Sequence, residues 1–347
     1  MSFKRFDNED IVISADSITS PAWSGNEVAL SNYYTSSAQV DGSTGKYFYD
    51  IYNGLASADA SQIQFSLAYG NKDGSGSAAL NLSVAENTPS SIVYKQYRNL
   101  INGSEDIELS FDGTDSTHIY VFAIERARYK EKILPGSLSL KITGNAIKQD
   151  IYLTDNSKEV TTQTFTDAGR VFQIISGSAG TKTSSPKDAA SKGNSKDYGS
   201  YGLLLPDTGL IVLNGKALDQ PFANGGVSLA SATGSSAPAV ENMQLLYDKL
   251  GAARSSGSFT LRSEETVSSN FVFVRARNSE FNYSTNPSNI TGSGELRHNS
   301  MIDSPQSYIT AVGLYNDNND LLAVSKLSRP LLKDFTKEAL VRIKLDY

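Results

Sequence analysis

Two histidines, His118 and His298, and no cysteine stand among the 347 residues, so few side chains are available for nucleophilic or metal chemistry. The histidines lie far apart, with no HxH or HxxxH spacing that would set two ligands on one face, and a zinc centre is not expected. A Ser/His/Asp hydrolase would have to recruit one of them, and neither is accompanied by a GxSxG elbow. Glycan hydrolysis needs two carboxylates at a defined separation. Glu105-Asp106 and Glu264-Glu265 are such pairs, but Asp and Glu total 37, so adjacency alone says little and both read as solvated turns. Gly177-Ser178-Ala179-Gly180-Thr181-Lys182-Thr183 resembles a phosphate loop, yet Thr181 stands where GxxxxGK[ST] requires glycine. Asn316-Asp317-Asn318-Asn319-Asp320 lacks the glycine, the twelfth-position glutamate and the flanking helices of an EF-hand, and reads as a turn. No catalytic residue, cofactor or metal ligand is expected, and the chain does not read as an enzyme.

Arginine beside aromatic residues is the pattern that remains. Val121 to Ile124 runs into Arg126-Ala127-Arg128-Tyr129, and Val272 to Val274 runs into Arg275-Ala276-Arg277, followed by Phe281 and Tyr283. Arginine can stack on a ring while bridging carboxylates in two-pronged fashion, which suits it to protein interfaces. Arg126, Arg128, Tyr129, Arg275, Arg277, Phe281 and Tyr283, with the terminal Tyr347, are the interface candidates. The two blocks read either as an internal echo or as a coincidence of strand-terminal arginines.

The elements that must position these residues are strands. Short segments rich in β-branched and aromatic residues alternate with Gly, Ser, Asn, Asp and Thr, the signature of an all-β chain. Tyr201 to Leu205 and Leu210 to Leu213 form a hairpin around Pro206-Asp207-Thr208-Gly209, and Asn214-Gly215 supplies a second turn. Tyr308 to Tyr315 and Leu321 to Leu327 form another. Val341 to Tyr347 alternates strictly, as a half-buried strand does; its second edge is either open to a neighbouring chain or covered within its own sheet. The clearest helix spans about 238–250, opened by Pro238 and stopped by Gly251. Two polar stretches, about 177–200 and 225–238, read as long loops. The expected fold is mainly β: two β-rich, sandwich-like domains with short helices and long loops, residues 1–148 and 149–347.

The formal net charge of −6 argues against general adhesion to nucleic acid, which needs a basic face. No apolar run approaches the ~20 residues that cross a bilayer as a helix, and neither nucleic acid nor membrane is an expected partner. Lys4-Arg5 is followed by mixed charge with no apolar stretch, so folding in a cytoplasm is expected.

The hairpin Ser200 to Gly215, the run Tyr308 to Leu331, the block Arg126 to Gly136 and the string Glu280 to Pro287 resemble segments of structural proteins of T4-like cyanophage-type myoviruses. The resemblance spans roughly residues 90–347. It implies a virion protein assembled in the host cytoplasm: an architectural subunit of tail, baseplate or neck, contacting other virion proteins and copies of itself. Two alternatives are a fibre-associated glycan-binding module, for which Trp23, Tyr33, Tyr34 and Tyr47 to Tyr52 would supply stacking surfaces, and a tail-associated glycan hydrolase. A fibre shaft would show a short periodic repeat, which is not found.

Overall fold

The computed structural model describes residues 4–36, 48–77, 88–144, 149–183, 200–231, 241–250 and 258–346. They fall into two compact units, Ile18–Glu265 and the combination of Met1–Ser17 with Thr266–Tyr347. The chain starts in the smaller unit and passes into the larger one within β1 (Ile11–Pro21). Within the larger unit follow β2 (Ala29–Leu30), β3 (Tyr49–Tyr52), β4 (Ile63–Asn71), β5 (Ser110–Phe111), β6 (Thr114–Asp115), β7 (His118–Ile124), β8 (Lys132–Ile133), β9 (Ser139–Thr143) and β10 (Asp150–Asp155). Next come β11 (Thr164–Thr166), β12 (Gly169–Ser178), β13 (Thr181–Lys182), β14 (Gly202–Leu205), β15 (Leu210–Asn214) and β16 (Phe259–Thr260). β17 (Arg262–Ala276) carries the chain back to the smaller unit, which adds β18 (Ser307–Tyr315), β19 (Leu321–Lys333) and β20 (Ala339–Asp346).

The protein is mainly β, as its sequence pattern predicts. In the larger unit one sheet runs in the order β2-β16-β9-β10-β12-β14-β15-β7-β4-β3. Its two ends meet: Tyr34, just past β2, exchanges backbone hydrogen bonds with Tyr52 of β3 (2.8 and 3.1 Å). Period-2 alternation then gives each central strand two buried faces. Tyr120, Phe122 and Ile124 of β7, Leu204 of β14 and Ile211 and Leu213 of β15 join one core, with Trp23, Phe65 and Phe259. Ile119, Val121, Leu203, Leu205 and Val212, from the alternate positions, join a second core with Tyr94 and Phe111. Each large apolar side chain fully buried in this way stabilises by roughly 1.5–3 kcal/mol.

A helix, Pro89–Asn102, covers the second core. Thr88 caps it by accepting a hydrogen bond from the Ser91 N–H (3.3 Å), proline takes the first turn, and Gly103 closes it in the left-handed region (φ 64°). It lies close to β4 because residue 70 is glycine: a Cβ there would sit 2.8 Å from the Tyr94 nitrogen. The helix expected at about 238–250 is present over Glu241–Lys249, where Met243 and Leu246 enter the first core; residues 238–240 lie outside the described residues.

Several expectations are corrected. The proposed boundary at 148 falls inside the larger unit, between β9 and β10, which pair as neighbours (Ile151 with Ile142, Leu153 with Leu140). The actual division depends on the chain's beginning pairing with a strand more than two hundred residues later, β1 with β17, which composition does not reveal. Of the long polar stretches, Gly177 to Lys182 is a strand end, a turn and β13, while residues 184–199 lie outside the described residues. Gly225 to Ser231 is anchored by Val227 and Leu229, both in the first core; residues 232–238 are outside the described residues.

Candidate interaction surface

Arg126 to Tyr129 forms a single helical turn at the end of β7. Tyr129 does not face solvent: it is 5% exposed and belongs to the first core. Its ring lies on Gly209, the last residue of the Pro206–Gly209 turn, where a Cβ would meet ring carbon Cε1 at 2.2 Å and φ is +71°. Arg126 covers the ring from outside, its guanidinium carbon 5.0 Å from the centroid and its Nη1 donating to the Tyr129 hydroxyl (3.2 Å). The arginine–aromatic stack expected across an interface is therefore made within the chain. Arg128 is half-buried, and its Nε has no hydrogen-bond partner among the described residues.

The neighbouring turn is clamped by a buried-edge ion pair. Arg170 donates from Nη2 to Asp207 Oδ1 (2.6 Å) and from its backbone N–H to Oδ2 (2.9 Å). Burial pushes the Asp207 carboxyl up, but the Arg170 hydrogen bonds and charge outweigh it and hold the group below its usual range.

In the smaller unit the second arginine block has a different local structure. Arg275 and Ala276 end β17, and Arg277 follows in a turn, so the two blocks share letters and not geometry. Arg275 is exposed and pairs with Glu338 (2.9 Å). Glu280 accepts the Arg277 backbone N–H (2.8 Å), and that bond, with Lys4 nearby, holds its carboxyl below the ordinary range. Phe281 is half-buried with φ +53°, and its carbonyl accepts the Ser307 hydroxyl. Tyr283 is 63% exposed. Beneath this loop Lys333 is fully buried and donates to Asn278 O (3.0 Å), Asn282 Oδ1 (2.7 Å) and Asp334 O (2.9 Å). All three ammonium donors thus have acceptors, which offsets the cost of desolvating the charge. Tyr347 lies outside the described residues.

His118 Nε2 meets Asp219 Oδ2 at 2.9 Å, and Ser231 donates to the other oxygen, Oδ1, from its hydroxyl (2.8 Å) and its N–H (3.0 Å). The aspartate sits between the histidine and the serine. Nucleophile activation needs the histidine next to the serine, so this trio works as a half-buried clamp that ties Ser231 to the Gly215–Asp219 helical turn. Burial pushes the Asp219 carboxyl up, and the His118 and Ser231 hydrogen bonds bring it below its ordinary value. Glu105 and Asp106 are exposed, Glu264 lies 3.9 Å from Lys132, and Glu265 pairs with Lys130. The Asn316–Asp320 turn is closed by its own bonds, Asn316 Oδ1 accepting the Asp320 N–H (2.8 Å) and the Asn318 N–H (3.0 Å).

Trp23, Tyr33 and Tyr49, offered above as sugar-stacking surfaces, are 2%, 2% and 0% exposed. The Trp23 indole packs edge-on to Phe259, 4.8 Å between ring centres. Burial pushes the Tyr49 hydroxyl up to about 12. These rings build the core, and Tyr47 lies outside the described residues.

The surface that residue-by-residue reading passed over is the β18–β19 hairpin. The two strands pair only with each other among the described residues. Tyr308, Leu322 and Val324 are 60% or more exposed on it. The charge-free run Tyr308 to Tyr315 was the available signal.

No family model, curated protein or solved structure matches the chain.

Proposed function

We propose that the chain is an architectural subunit of a contractile-tailed phage virion, in the tail, baseplate or neck, acting through contacts with other virion proteins and with copies of itself. The reading assigns it no reaction, no cofactor, and neither nucleic acid nor membrane as partner. The observation that supports it is the make-up of the smaller unit. Its buried apolar cluster is Val272, Leu314, Val341 and Ile343, a small core for a body of roughly a hundred residues. Among the described residues, fifteen of the 23 large apolar side chains that are exposed belong to it, including Ile13, Ile302, Tyr308, Leu322 and Leu340. Apolar surface in that amount is characteristic of a subunit that completes its burial on neighbours. The segment resemblances at Ser200 to Gly215 and Tyr308 to Leu331 point to the particle in which such neighbours would be found. Quantitative mass spectrometry of purified virions from the phage encoding this chain tests the reading. The chain is expected in stoichiometric multiple copies, and its absence from intact particles would refute the assignment.

A further inference from the structure

We propose that β18 is a self-pairing strand: two copies of the chain join antiparallel along it, merging their β18–β19 hairpins into one four-stranded sheet about a twofold axis. Three observations carry this. First, among the described residues β18 pairs with β19 alone, so its other edge, over Ser307 to Leu314, is a template for strand addition. Its nine residues span about 30 Å at the usual rise per residue.

Second, charge selects the occupant. Ser307 to Tyr315 contains no ionisable group other than the tyrosine phenols of Tyr308 and Tyr315 and no proline, so pairing the strand with itself sets no like charges opposite one another. The competing edges are less suited to a twofold contact. β19 carries Lys326 and Arg329, contains Pro330, and loses register between the Ile309–Leu331 and Ala311–Lys326 pairs. β20 carries Arg342, Lys344 and Asp346. Proline and a register break both interrupt an edge ladder.

Third, the hairpin gains most from extension. The hairpin is anchored through Leu314 to Val272, Val341 and Ile343, yet it still exposes Tyr308, Tyr315, Leu322 and Val324, which an added strand pair would help to cover. A twofold contact is self-complementary and closes at two copies. The pairing is a property of the isolated chain, and it stands or falls independently of the virion reading.

Sedimentation of the full chain over a concentration series should show a monomer–dimer equilibrium. Thr310→Lys, which sets like charges beside the axis, should abolish the dimer. Mixing Thr310→Lys with Thr310→Asp should restore it, and that restoration separates lost pairing from lost folding. Full overlap of two β18 strands places Ala311, the central residue, opposite its own copy, at a Cα separation of about 4.5–5.5 Å, within disulfide range. The chain has no cysteine of its own, so Ala311→Cys should oxidise to a covalent dimer while Leu340→Cys, on β20, should not. A chain that stays monomeric at every concentration overturns the proposal. So does a dimer that cross-links through Leu340→Cys and leaves Ala311→Cys free.

Discussion

Arg170 and Asp207 show how one pair of residues holds two distant strands. Asp207 belongs to the tight turn between β14 and β15, and it receives both the backbone N–H and the guanidinium of Arg170 on β12. Its folded-state carboxyl titrates below the ordinary 3.8, hence below its unfolded value. The stabilisation is therefore complete above the unfolded value and is lost as pH falls through the folded one. Asp207→Asn should cost about 1–2 kcal/mol at pH 7, a charged hydrogen bond discounted for the part of the side chain that solvent reaches. Urea unfolding of both chains should show this gap closing below about pH 4; a gap as large at pH 3 as at pH 7 would disprove the linkage. The same turn decides the fate of Tyr129. Its ring rests on Gly209 and is buried, so the aromatic that looked like an interface anchor is part of the core. The string Arg-Ala-Arg-Tyr identifies a ring and a cation that stack. It does not say whether the stack faces a partner or the chain itself.

At the scale of elements, what local chemistry specifies was legible and what distant pairing specifies was not. The hairpin around Pro206 to Gly209 forms with Leu205 opposite Leu210, as a Pro-Asp-Thr-Gly turn requires. Strict alternation in Val341 to Asp346 likewise becomes β20, with Val341 and Ile343 buried and Arg342 and Lys344 exposed. Among the described residues β20 ends the order β1-β17-β20, so it is an edge strand and not an interior one. The helix Pro89–Asn102 went unread, although Thr88, Pro89 and Gly103 are its cap, first turn and stop and Tyr94, Tyr97 and Ile101 recur at helical spacing; its polar average composition, with Ser90 and Ser91 among the buried residues, reads as loop. The two hairpins so far apart in sequence also differ in support. β14–β15 lies inside a ten-strand path with both faces buried, whereas β18–β19 has no further strand among the described residues. Local opening free energy follows such support, so β18 amides should exchange with deuterium much faster than those of β15 in dilute protein. Mass-spectrometric exchange reads this directly, and equal protection in the two hairpins would contradict it.

For the whole molecule, the two units differ in kind. The larger one is continuous in sequence and holds two extensive apolar cores, while the smaller is assembled from both ends of the chain around one small apolar cluster, Val272, Leu314, Val341 and Ile343. A sequence read from left to right places a boundary where composition changes. Here the boundaries lie within β1 and β17, long unbroken strands with no linker at the division. The difference in core size predicts unequal stability. Differential scanning calorimetry should show two transitions, the lower one belonging to the smaller unit, because buried apolar area is the main favourable term in folding. If copies pair through β18, mass action ties the lower transition to protein concentration and leaves the upper one fixed. A tenfold increase in concentration should therefore raise the lower midpoint alone, and Thr310→Lys should remove that dependence while keeping both transitions. One cooperative transition, or an upper midpoint that moves with concentration, would mean that stability is not partitioned between the units in this way.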